Sequence, residues 1–92
     1  MIYVVSYILR PNRDITGLLN ELQNPVAGWA HYLDDTWFIA TSENAQQLYN
    51  RLSKHLLQTD SIFIGAIKPN IPEQGWMPKD FWEWFNIHKY HP

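Results

Sequence analysis

The chain contains no cysteine. That excludes disulfides, thiol nucleophiles and thiolate metal sites together. Charge is also scarce, at 17% of residues, and the seven Lys and Arg are scattered rather than gathered into a basic stripe. With a formal charge of -2, strong binding to DNA or RNA is not expected, because phosphate neutralisation supplies most non-specific affinity. No apolar run approaches the ~18 residues of a membrane span. The N-terminus shows neither the charged start nor the cleavage pattern of a secretory signal. A cytoplasmic protein with no membrane partner is therefore the expectation. Three chemical signatures are missing as well: a glycine-rich phosphate loop, a nucleophile elbow and a paired-carboxylate motif.

What the chain has in excess is aromatic side chains: five Trp, five Tyr and four Phe in 92 residues. A chain of this length forms one domain on a single core and buries roughly 60–65% of its unfolded surface, so pairing would add useful stability. Part of the aromatic area is expected at a contact surface, where such rings dominate the energetics.

Periodicity predicts the elements in order. Ile2 to Arg10 reads as a strand stopped by Pro11. Asp14 is placed to cap a helix whose apolar face is Ile15, Leu18, Leu19 and Leu22. Gly17 weakens that helix by about 1 kcal/mol relative to Ala, and Asn24-Pro25 ends it. Gly28 to Leu33 and Thr36 to Thr41 form a hairpin turned at Asp34-Asp35. Thr41 or Ser42 is expected to cap a second helix, with Ala45, Leu48, Leu52 and Leu56 on its core face. Gln58-Thr59-Asp60 turns the chain into a strongly apolar strand, Ser61 to Lys68. The order β-α-β-β-α-β predicts an α+β, ferredoxin-like core over residues 1–68, with a four-stranded antiparallel sheet. One face of that sheet takes both helices, and the other is left open.

Residues 69–92 differ in character. PNIPEQGWMP is an extended loop, and FWEWFNIHKY is a short aromatic helix. Phe81, Trp84, Phe85 and His88 are expected to share its packed face and to cover an edge or the open side of the sheet. Trp82 points elsewhere in this reading. A docking role would make Trp82 or Trp76 the anchor for a protein partner.

Three segments, IYVVSYILRPNRDITGLLNEL, GWAHYLDDTWFIAT and the pairing of GWMP with FWEWF, resemble the SinR-like family of small bacterial and phage proteins. That family is similar in turn to the ferredoxin-like Cas-two proteins of CRISPR adaptation. The resemblance implies a homodimer and, in the Cas-two relatives, an aspartate near the end of the first strand that holds a divalent metal for phosphodiester cleavage. The SinR-like pattern S-Y-D-L matches Ser6-Tyr7-Ile8-Leu9 here, so Ile8 stands where the acid would be. A sec-butyl group offers Mg²⁺ no oxygen, and a metal–water mechanism loses its central ligand.

Alternation puts Ile2, Val4, Ser6 and Ile8 on one face of the first strand. If that face is the open one, Val4, Ser6 and Ile8 form an apolar contact with a second copy. If it is the packed one, Tyr3, Val5, Tyr7 and Leu9 are exposed instead. A non-catalytic homodimeric interaction module without cofactor is the first expectation, with a regulatory, defence or anti-defence role implied by the resemblance. A nuclease would have to recruit Asp14, Asp60 or His31, with Mg²⁺ or Mn²⁺. A binder of a small phosphorylated ligand would use Arg10, Arg13 and Lys68, expected to cluster at one end of the sheet. His31 is expected to share a face with Trp29 and Leu33 and to be bonded within the sheet or at a dimer seam. His88 and His91 have a zinc-compatible spacing without an evident third ligand.

Overall fold

The computed structural model describes residues 1–24 and 28–90. Its elements are β1 (Ile2–Ile8), α1 (Thr16–Leu22), β2 (Gly28–Leu33), β3 (Thr36–Ala40), α2 (Ala45–Ser53), β4 (Ser61–Ile67) and α3 (Lys79–Lys89). The fold is α+β. Its four-stranded sheet is ordered β2-β3-β1-β4, with every neighbouring pair antiparallel. No helix among the described residues is long and apolar enough to cross a membrane.

Alternation along β1 divides the core in two. Tyr3, Val5 and Tyr7 pack with Leu18 and Leu22 of α1, Leu48 and Leu52 of α2, and Trp37 and Ile39 of β3. Trp37 is wholly buried there, and its indole N–H donates to the Tyr7 hydroxyl at 2.9 Å. On the opposite face, Ile2, Ala30 and Ala40 pack against Phe81 and Phe85 of α3. The even-numbered residues of β1 therefore face away from α1 and α2, which answers the question of where Ile8 lies.

Both connecting helices are short and depend on tertiary contacts. At α1, Ile15 occupies the cap position without a side-chain bond, and the Asp14 carboxylate accepts from the Thr16 N–H and hydroxyl. The expected cap of α2 at Thr41 or Ser42 is corrected to Asn44. The Asn44 side chain accepts from Gln47 N–H while the Gln47 side chain accepts from Asn44 N–H, a reciprocal pair that satisfies two end donors at once. Thr41 instead donates to Glu43. Ala45, expected in the core, is exposed. Arg51 ties the two helices together, donating to both Glu43 carboxylate oxygens and to the Glu21 carbonyl.

Gly17 has a packing reason that outweighs its low helix propensity. The His55 ring lies against it, and a Cβ there would stand 2.6 Å from Nδ1. His55 is held in turn by Glu21 at 3.3 Å.

The aromatic helix α3 covers one half of the second sheet face. Phe38 meets Phe81 edge-on with ring centres 4.9 Å apart, and Phe81 stacks with Phe85 at 5.4 Å. Trp82 was expected to point away, and this is corrected. It packs edge-on against Phe81 at 5.1 Å and Phe85 at 5.8 Å and is partly buried. Phe81, Phe85 and Lys89 are the fully buried positions of the helix, and Trp84, as expected, packs with Trp82 against the same cluster, both partly buried. Lys89 is 7% exposed, and its ammonium donates to Glu73 at 2.6 Å and to the Ile71 carbonyl at 2.9 Å. That ion pair clamps the loop before α3 onto the helix. His91 lies outside the described residues.

Candidate binding surface

Where α3 stops, the second sheet face is bare. Cross-strand rows locate the uncovered part. Phe63, Ser6 and Thr36 form one row, and Ser61 and Ile8 the next. Ile8 is 73% exposed and Phe63 69%. Ser6 and Thr36 satisfy each other through a hydroxyl–hydroxyl bond of 3.2 Å, so the polar atoms between the two apolar side chains are already engaged. Val4, on the same face, is half-buried. Sequence reasoning marked Val4, Ser6 and Ile8 but missed Phe63. The run Ser61–Ile67 is apolar at nearly every position, and only its register with β1 separates Phe63, outside, from Ile62 and Ile64, which pack on the main core.

A shallow depression of about 230 Å³ runs along this end of the sheet, lined by Ser6, Ile8, Ser61 and Phe63 among others. A second cleft of about 260 Å³ lies between the sheet, α3 and the loop before it, walled by Leu33, Phe38, Met77, Phe81, Trp82 and Phe85. Trp76 stands beside that cleft, between Gly75 and Met77, and is fully exposed.

The donor set at the end of β1 does not fit a divalent cation. Ile8, Ser61 and Phe63 surround the position, and hard cations require oxygen ligands, usually with a carboxylate. Asp60, nearby in sequence, is fully engaged elsewhere. Its Oδ1 accepts from Arg10 N–H at 2.8 Å and from Arg13 Nη1 at 2.7 Å, and its Oδ2 accepts from Leu57 N–H at 2.7 Å. Desolvation raises the Asp60 pKa, yet these donors together bring it below the usual carboxylate range. Asp14 is likewise lowered, by the Thr16 hydroxyl and then the Thr16 N–H. Among the described residues no three His, Asp or Glu side chains come together as a potential metal site.

The proposed basic cluster does not form within one chain. Ile8 pairs with Ser61 and Ile2 with Ile67, so Arg10 and Arg13 follow one end of β1 while Lys68 lies at the other, about 20 Å away along the strand. Arg13 is also committed to Asp60 and to the His55 carbonyl. His31 is exposed, stacks on Trp37 with ring centres 3.9 Å apart, and meets the Asp34 carbonyl at 3.1 Å. The β2–β3 register shifts between Ala30 and Leu33. Leu33 therefore joins the cleft with Phe38 and Phe81, instead of sharing the His31 face.

No family model, no curated protein and no solved structure matches this chain.

Proposed function

We propose that this chain is a non-catalytic, homodimeric interaction module of ferredoxin-like architecture, related to the SinR-like and Cas-two proteins, with a regulatory or defence-associated role. The architecture is supported by the strand order β2-β3-β1-β4 and by the packing of α1 and α2 on one face. The kinship rests on the segments quoted above, with Ile8 in place of the metal-binding acid.

One observation carries the reading: Ile8 and Phe63 project, largely exposed, from the half of the sheet that α3 leaves uncovered. Isolated exposed apolar residues are ordinary, but a contiguous patch on a sheet face marks a contact. Burial of each such side chain contributes roughly 1.5–3 kcal/mol, and a two-fold contact counts each twice. Sedimentation velocity tests the proposal. The wild-type chain is expected to sediment as a dimer at micromolar concentration, and an Ile8→Asp/Phe63→Asp double variant as a monomer of unchanged helix and strand content. A wild-type monomer across that range contradicts the proposal.

A further inference from the structure

The two edges of the sheet are unlike. At one edge, β2 is interrupted by the register shift between Ala30 and Leu33, an irregularity that blunts an edge against further pairing. At the other edge, β4 stays in unbroken register with β1 from Ser61 to Ile67. Those residues, SIFIGAI, include no charge and no proline. Among the described residues the only strand beside β4 is β1, so one row of its backbone N–H and C=O groups points outward. Natural proteins protect such an edge with charge, proline or a bulge unless another strand covers it.

We propose that β4 pairs antiparallel with β4 of a second copy, about a two-fold axis through Ile64, joining the two sheets into one. The inference rests on the reading of the chain as self-associating, and it moves the seam from the open face to the edge beside it, keeping Phe63 at the contact and leaving Ile8 one strand away. The full length of Ser61–Ile67 is matched only when Ile64 lies opposite its own counterpart. Ser61 then faces Ile67, Ile62 faces Ala66, and Phe63 faces Gly65 of the second copy. Each pair belongs to the same sheet face, so no side chain is turned from core to solvent.

Gly65 gives this register a physical reason. The Phe63 ring of the same chain already leans over it, with a ring carbon 3.0 Å from where a Cβ would be. In the joined sheet each Gly65 lies opposite Phe63 of the other copy, and aromatic cover of strand glycine is an established stabilising device. Glycine within a strand also marks close approach by another group. The full-length match of the strand, with Phe63 set against Gly65 on both sides of the axis, identifies the occupant as this chain itself, not a foreign strand.

The absence of cysteine makes the test clean. Across the two-fold axis the Ile64 Cα atoms lie about 4.5–5.5 Å apart, within reach of a disulfide. Mild oxidation of Ile64→Cys is expected to give a covalent dimer, and Ile8→Cys, one strand further in, is expected to stay uncross-linked. Because Ile64 also touches the main core, a spin label on Ala66→Cys, an exposed position, provides the second reading. Its Cα separation in the pair is about 14 Å, and strong dipolar broadening is expected. Cross-linking at Ile8→Cys, with none at Ile64→Cys and no broadening at Ala66→Cys, overturns edge pairing while leaving self-association through the open face. No cross-link, no broadening and a monomeric wild-type chain overturn both.

Discussion

The Trp37 indole N–H donates to the Tyr7 hydroxyl at 2.9 Å, and this bond joins the neighbouring strands β3 and β1 inside the main core. Two large amphipathic rings are buried there without an orphaned polar atom. No buried side-chain N or O among the described residues lacks a partner. Tyr7→Phe keeps the ring and strands the indole donor, at a cost of about 1–3 kcal/mol. Urea unfolding is expected to show a lower midpoint with an unchanged slope. An unchanged midpoint would mean that the bond contributes nothing net.

Gly17 invites a substitution that helix propensity alone would recommend. Ala is favoured by about 1 kcal/mol in a helix interior, yet its methyl would meet His55 Nδ1 at 2.6 Å, and His55 is itself held by Glu21. Gly17→Ala is expected to lower the thermal midpoint, and Gly17→Ala/His55→Ala to recover part of the loss. If Gly17→Ala is the more stable protein, the close approach of the His55 ring to α1 is not as described.

The acid limb of stability belongs to a few engaged carboxylates. Asp60 is held below its ordinary range by backbone N–H groups and Arg13 against desolvation, and Glu43 by hydrogen bonding to Arg51. A carboxyl whose folded pKa is depressed takes up protons on unfolding. Its stabilisation is therefore present above the unfolded value of about 4 and is lost as pH falls through the folded value. Denaturant midpoints are expected to hold from pH 7 to about 5 and to fall below about 4. Asp60→Asn should start lower and fall less steeply. A variant whose acid limb matches the wild type would remove Asp60 from this role.

Phosphodiester cleavage supplies a separate check. With Mg²⁺ or Mn²⁺ and single- or double-stranded RNA or DNA, no cleavage above buffer is expected. Activity that disappears in both Asp60→Ala and Asp14→Ala would place a metal where Ile8 argues against one.

Much of this architecture was legible in the amino-acid pattern, for identifiable reasons. The alternation of β1 and the i, i+3, i+4, i+7 spacing of Ile15, Leu18, Leu19 and Leu22 reflect burial on one face, which local sequence encodes. Asn44 was missed as the α2 cap because Thr41, Ser42 and Asn44 are all competent caps. Only the course of the β3–α2 connection selects among them, giving Thr41 to Glu43 and Asn44 to Gln47. Trp82 was misassigned because the packed face is wider than one stripe, taking in Trp82 and Trp84 together, while Lys89, buried against Glu73, breaks the rule that charge faces solvent. The separation of Lys68 from Arg10 and the exposure of Phe63 depend on the β1–β4 register. That pairing joins segments some fifty residues apart, and neither sequence alone states it.

The proposed self-association requires cover of the apolar surface around Phe63 by a second copy. Its most direct measurement is a dilution series followed by NMR of the Phe63 ring, with the buried Trp37 indole as internal reference. Phe63 resonances are expected to move between two limits as the chain is diluted below micromolar concentration, while those of Trp37 stay fixed. Phe63 signals that are identical and solvent-exposed at every concentration would contradict it.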